Sequence, residues 1–104
     1  MAALLVLTNL PDRAAAERLA DMVVAKNLAA CVNILPGVVS HYWWQGKIEN
    51  GSEVLMLLKT STRRLVALEK LILAKHPYTT PEFIVLPINR GTPKYLNWLA
   101  DSVR

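Results

Sequence analysis

Residues 29–60 read AACVNILPGVVSHYWWQGKIENGSEVLMLLKT, and this stretch limits the possible folds more than any other. It holds the chain's single cysteine, Cys31, and two of its three tryptophans, Trp43 and Trp44. Two apolar runs, 31–35 and 54–58, flank a segment of Gly, Asn and aromatic residues, the pattern of one long β-hairpin. Two dipeptides compete for its tip. Asn50-Gly51 is the stronger signal by composition, because both residues tolerate positive φ. A turn at Gln45-Gly46 instead sets Asn33 opposite Leu58 and Leu35 opposite Met56, so that the apolar runs meet. Register follows the buried face. The turn is therefore expected at Gln45-Gly46, with Asn50-Gly51 as a bulge.

A strand from Ala29 to Trp44 would be about 50 Å long at roughly 3.3 Å per residue. A compact domain of this length has a radius of gyration near 13 Å and a diameter of about 35 Å. The hairpin must overhang its own domain or bend at Pro36-Gly37. Its overhanging part carries Val38, Val39, Tyr42, Trp43, Trp44 and Ile48, and apolar residues that project past a small core mark a partner surface. An oligomer built on the hairpin is expected.

The remaining segments place the hairpin in a fold. Residues 4–8, LLVLT, form a short buried strand. Asp12 is the candidate N-cap of a helix whose apolar stripe is Ala16, Leu19, Ala20, Val23 and Val24, with Asn27 suited to its end. After the hairpin, Thr60-Ser61-Thr62 offers a second capping cluster before the stripe Leu65, Leu68, Leu71 and Ile72. His76-Pro77 ends that helix, since a residue before Pro is pushed out of the α region. Residues 83–88 form the fourth strand. Thr92-Pro93 starts a last helix that turns Tyr95, Trp98 and Leu99 inward. Residues 1–104 thus make one domain of order β-α-β-β-α-β plus a C-terminal helix: a ferredoxin-like α+β sandwich on an antiparallel sheet. The third strand, VLMLL, has no polar alternation and needs cover on both faces, whereas these helices cover one.

The same topology serves RNA recognition motifs, but their third strand carries base-stacking aromatics and SEVLMLLKT has none. The net charge of +4 is spread along the chain, so no nucleic-acid partner is expected. No apolar segment approaches membrane-spanning length, and the N-terminal apolar run lacks a basic region before it. One cysteine fits a reducing compartment, hence a cytoplasmic location.

The polar loop 76–82, HPYTTPE, is the densest candidate site. His76, Tyr78 and Glu82 either converge on a ligand or satisfy the loop and the helix end. Cys31, in an apolar strand, is expected to be buried and inert. A closed four-ligand metal site does not follow from one Cys and two His. The Trp43-Trp44 pair reads as interface packing in preference to a stacking platform. No catalytic triad, P-loop or dinucleotide turn is present, and no enzymatic activity is expected.

AACVNILPG, Ser40-x-Tyr42-Trp43-Trp44-Gln45-Gly46-Lys47-Ile48-Glu49, Glu53-Val54, Lys59-Thr60, His76-Pro77-Tyr78-x-x-Pro81-Glu82 and Tyr95-Leu96-x-Trp98 together resemble the CutA family of divalent-cation tolerance proteins. The resemblance covers essentially the whole chain. It implies a homotrimer in which the hairpin (Tyr42, Trp43, Trp44, Gln45, Gly46, Ile48) wraps a neighbour, similar in architecture to the PII signalling trimers. It implies an intersubunit pocket formed by Cys31, Asn33, Lys59, His76, Tyr78, Glu82, Tyr95 and Trp98, with Lys59 beside His76 and Glu82. The implied role is tolerance of divalent cations, copper among them, with His76 as the metal ligand. Thr8 and Lys75 stand where some members carry a Cys and a second His, so the copper implied is weakly held. A PII-like sensor of a small metabolite or anion is the alternative.

Overall fold

The computed structural model describes residues 2–104, in which seven elements follow one another. They are β1 (Ala3–Leu10), α1 (Arg13–Ala25), β2 (Cys31–Trp44), β3 (Lys47–Ser61), α2 (Leu65–Lys75), β4 (Ile84–Pro87) and α3 (Pro93–Ser102). The four strands form one sheet in the order β2-β3-β1-β4, with every neighbouring pair antiparallel. This is the ferredoxin-like arrangement of two split βαβ units.

Alternation in β1 and β3 gives the sheet two faces. Val6, Leu10, Val54, Met56 and Leu58 point to one side, where Leu19 and Val23 of α1 and Leu68 and Ile72 of α2 close the core over them. Local chemistry fixes α1 at both ends. The Asp12 carboxylate accepts from the Ala15 N–H at 2.8 Å, as an N-cap should. At the other end Asn27 takes φ 57°, and the Leu28 and Asn27 N–H groups donate to the Val23 and Val24 carbonyls, which is a Schellman ending with Asn in the left-handed position. Val24 departs from the expected stripe and is exposed at the rim of the helix. The capping cluster expected before α2 is instead the end of β3. Thr60 Oγ1 donates to the Leu28 carbonyl at 2.7 Å, Ser61 is buried, and Arg64 occupies the N-cap without a side-chain capping bond, its guanidinium donating instead to the Val103 carbonyl at 3.0 Å.

On the opposite face, Leu5, Leu7, Leu55 and Leu57 are only half-buried. Helix α3 lies across one end of this face. Its Leu99 and the C-cap Val103 are buried outside the main core, and Lys59, which shares the face with Leu57, stands over the Tyr95 ring. Helices therefore touch both faces, not one as expected, but cover the second incompletely. Tyr95 and Trp98 differ from expectation too. They pack on each other with ring centroids 5.3 Å apart, yet Trp98 remains 47% exposed.

The hairpin turns at Gln45-Gly46, as the apolar runs require. Both residues take positive φ, 50° and 79°, the paired left-handed geometry that matches strand twist. The bulge is elsewhere than expected. Asn50 and Gly51 pair regularly with His41 and Ser40, whereas Pro36 and Gly37 together oppose the single residue between Leu55 and Glu53. Proline has no N–H for the ladder and Gly37 adopts φ 76°, so the irregularity belongs where those two residues fall. Consequently Leu35 pairs with Leu55 and Asn33 with Leu57, one position away from the expected register. Val32 and Ile34 then face the helices beside Leu58 and Met56, and Asn33 is spared the core. Past the bulge the parity of β2 reverses, so Ser40, Tyr42 and Trp44 share a face with Glu53. The hairpin overhangs the domain, whose principal extents are 44 × 25 × 22 Å.

Candidate ligand cleft

Pro77 stops α2 and sends the loop back across the end of β1. His76, the C-cap, keeps its backbone N–H on the Ile72 carbonyl at 2.8 Å while its ring turns towards β1. There Nε2 lies 2.8 Å from the Asn9 carbonyl oxygen, and Nδ1 accepts the Tyr78 N–H at 3.2 Å. A carbonyl only accepts and a backbone N–H only donates, so the proton resides on Nε2. Burial holds the His76 pKa below its ordinary value, against smaller upward pulls from the Asn9 bond and the Glu53 charge, and the ring is neutral.

The loop is fixed at two further points. Tyr78 Oη donates to Glu53 Oε2 at 2.8 Å, and Thr8 Oγ1 donates to the Glu82 carbonyl at 2.6 Å. Desolvation, reinforced by the Glu53 bond and charge, raises the Tyr78 pKa far above the usual phenol value. Desolvation and then the Glu53 charge raise the Glu82 carboxyl. Asn9 Oδ1 is buried here without a hydrogen-bond donor.

Between this loop and the 40–44 part of the hairpin lies a cleft of about 760 Å³. His41 to Trp44 line it from the hairpin and Pro77 to Thr80 from the loop, and Glu53, Glu82 and Asn9 also border it. Its aromatic wall follows from the bulge, which turns Tyr42 and Trp44 to the face that carries Glu53.

The residues expected to share one pocket fall into two groups. Tyr78 and Glu82 line the cleft, and His76 is buried next to Tyr78 with ring centroids 4.9 Å apart. Cys31, Asn33, Lys59, Tyr95 and Trp98 gather at the other end of the same sheet face. Cys31 pairs with Lys59 across the ladder, Cys31 Sγ is 3.8 Å from Asn33 Oδ1, and Lys59 Nζ is 5.6 Å from the Tyr95 ring centroid. Lys59 lies six positions along β3 from Glu53, about 20 Å of strand. Within one chain Lys59 is therefore not beside His76 and Glu82. Cys31 is half-buried, not sealed in the core, because the bulge leaves it on the incompletely covered face.

The donors at hand do not make a copper site within one chain. Both nitrogens of His76 are engaged, Cys31 belongs to the other group, and among the described residues no three His, Cys, Asp or Glu side chains gather as a metal would require. What the cleft offers is mostly oxygen, from two carboxylates and the Asn9 amide, with His41 as the single imidazole in its lining. Glu53 and Asn9 were not among the residues expected at the site. Glu53 carried a faint signal, as the one acidic residue directly before the apolar run of β3; Asn9 carried none beyond being polar at a strand end.

Residues 4–102 match the family described as CutA1 divalent ion tolerance protein. The divalent-cation tolerance protein CutA of Citrobacter koseri is 47% identical over 102 residues, which are 98% of this chain and 89% of that protein. The protein CutA 1, chloroplastic, of Oryza sativa subsp. japonica is 45% identical over 101 residues; these are 97% of this chain but 57% of the rice protein, so the chain spans little more than half of that relative. The solved structure of the divalent cation tolerance protein (Cut A1) from Thermus thermophilus superimposes with a TM-score of 0.95 at 41% identity, covering 98% of this chain and 99% of that one. Sequence and fold agree along the whole domain, and this chain belongs to the CutA1 divalent ion tolerance protein family.

Proposed function

We propose that the chain acts in divalent-cation tolerance as a non-enzymatic homotrimer that takes its ligand at clefts between subunits. The observation that supports this most is the sheet face carrying Leu5, Leu7, Leu55 and Leu57, which continues into the exposed Leu35, Ile84 and Leu86 and which one chain does not close. The hairpin adds a second apolar surface, with Trp43 72% and Ile48 64% exposed. Large exposed apolar patches mark association, and the two groups of site residues, kept apart in one chain, meet when neighbours pack head to tail. A divalent cation in the cleft would find oxygen donors in Glu53, Glu82 and Asn9 and one imidazole, His41, a set too sparse to hold it tightly. The role is binding and not catalysis, since the buried imidazole is tied to the backbone at both nitrogens. The single cysteine favours the cytoplasm as the working compartment.

A cleft of 760 Å³ is also the size of a small-metabolite pocket, which favours a PII-like sensor as the second reading. Calorimetry separates the two. Heat with Mn²⁺ or Cu²⁺ that is lost in Glu82→Gln supports the cation; heat with a nucleotide or organic anion and none with metal supports the sensor. A solution mass of one chain would contradict both.

A further inference from the structure

The cleft of about 760 Å³ joins two kinds of surface within one chain. Tyr42 and Trp44, 47% and 41% exposed, line it from the hairpin, and the ladder of β2 with β3 sets both on the sheet face that carries Glu53. Glu53 and Glu82 border it from β3 and from the 76–82 loop, and both are half-buried. Neither carboxylate makes an ion pair among the described residues, and no described lysine or arginine lines the cleft. Tyr78 Oη bonds one oxygen of Glu53 at 2.8 Å and leaves the other open. Desolvation, and then the Glu53 charge, hold the Glu82 carboxyl above its ordinary range, as expected where negative charge has no cation beside it.

Two carboxylates without a counter-charge call for a cation, and the walls decide which kind. A metal ion needs several close ligands. His41 is the single imidazole in the lining, and among the described residues no three His, Cys, Asp or Glu side chains gather to hold a metal. A bare ion would also leave most of the volume and the aromatic side unused. An organic cation uses both surfaces, because ring faces attract its charge and carboxylates accept from its N–H groups. A guanidinium suits this pairing best, being planar, weakly hydrated and able to stack on a ring while its edge donates to a carboxylate. We propose that the cleft binds a small organic cation with a guanidinium head, whose N–H groups donate to Glu53 and Glu82 and whose plane lies against the Tyr42 and Trp44 side. This inference rests on the small-metabolite reading of the cleft and gives that metabolite a charge and a donor set.

Calorimetry on the intact complex tests it with four probes: agmatine, its analogue with a trimethylammonium head that has no N–H donor, citrate and Mn²⁺. Agmatine is expected to bind about tenfold or more tighter than the analogue, and citrate to give no heat. Glu82→Gln is expected to weaken agmatine about tenfold or more. Tyr42→Leu is expected to weaken it about fivefold and to leave any Mn²⁺ heat as in the parent. Native mass spectrometry of both variants checks that assembly is that of the parent. Agmatine affinity unchanged in both variants, or an analogue that binds as tightly, would overturn the site or its guanidinium preference. Absence of agmatine heat overturns the inference outright; citrate heat in that case leaves the sensor reading standing, and heat from Mn²⁺ alone removes that reading too.

Discussion

On the sheet face that carries Val6, Met56 and Leu58, α1 and α2 exclude water completely; on the face that carries Leu5, Leu7, Leu55 and Leu57, α3 covers one end and the rest stays half-exposed. The residues are equally apolar on both sides. What differs is the cover, and the difference tells which part of the fold a single chain completes by itself. The first face is a finished core. The second carries the cleft at its acidic end and Lys59 with its aromatic neighbours at the other, so the polar groups of interest border an unfinished apolar surface.

Substitutions in the closed core and on the exposed hairpin should therefore fail in different ways. Met56→Ala empties a site with no exposure to solvent and should cost about 2–5 kcal/mol in denaturant unfolding, whatever the protein concentration. Trp43→Ala removes a ring that has little cover in its own chain. It should leave the unfolding of an isolated chain nearly unchanged but weaken association by about 2 kcal/mol, read as a shift in dissociation with dilution. Asp12→Ala tests the finished side through its local support alone. Loss of the cap on α1 should lower stability by about 1 kcal/mol without altering association.

The smallest effect concerns pH. Burial holds His76 below its ordinary 6.5, so as pH falls past that value the unfolded chain takes up a proton before the folded one does. The His76 contribution is thus complete above 6.5 and declines as pH drops below it. Glu82, held above its ordinary 4.5, acts in the opposite sense and costs stability as pH rises from there through its raised value. Comparing the pH profile of His76→Gln with that of the parent isolates the first slope, which should vanish in the variant.

Much of this was legible in the sequence, for reasons that can be named. The turn at Gln45-Gly46 followed from which apolar runs could face one another, and the end of α2 followed from His76-Pro77. The exact register did not follow, because composition points to Asn50-Gly51 while the ladder breaks where Pro36 lacks an N–H and Gly37 takes positive φ. That single extra residue decides that Asn33 avoids the core and that Tyr42 faces the cleft. At the site, the 76–82 loop announced itself as a dense polar segment. Its partners did not, since the carbonyl that receives His76 is 67 residues away and the carboxylate that receives Tyr78 is 25 residues away. Contacts of that span are set by the sheet order β2-β3-β1-β4 and leave no local pattern. The separation of Lys59 from His76 and Glu82 has the same origin.

In the proposed trimer the half-covered face is an interface between copies of this chain. Its most direct test is the mass in dilute solution by light scattering. The account predicts the mass of three chains of 11.6 kDa, held on dilution and lowered when Leu57→Asp places a charge on the open face. A mass of one chain, with Leu57 and Trp43 exchangeable for polar residues at no effect, would contradict it.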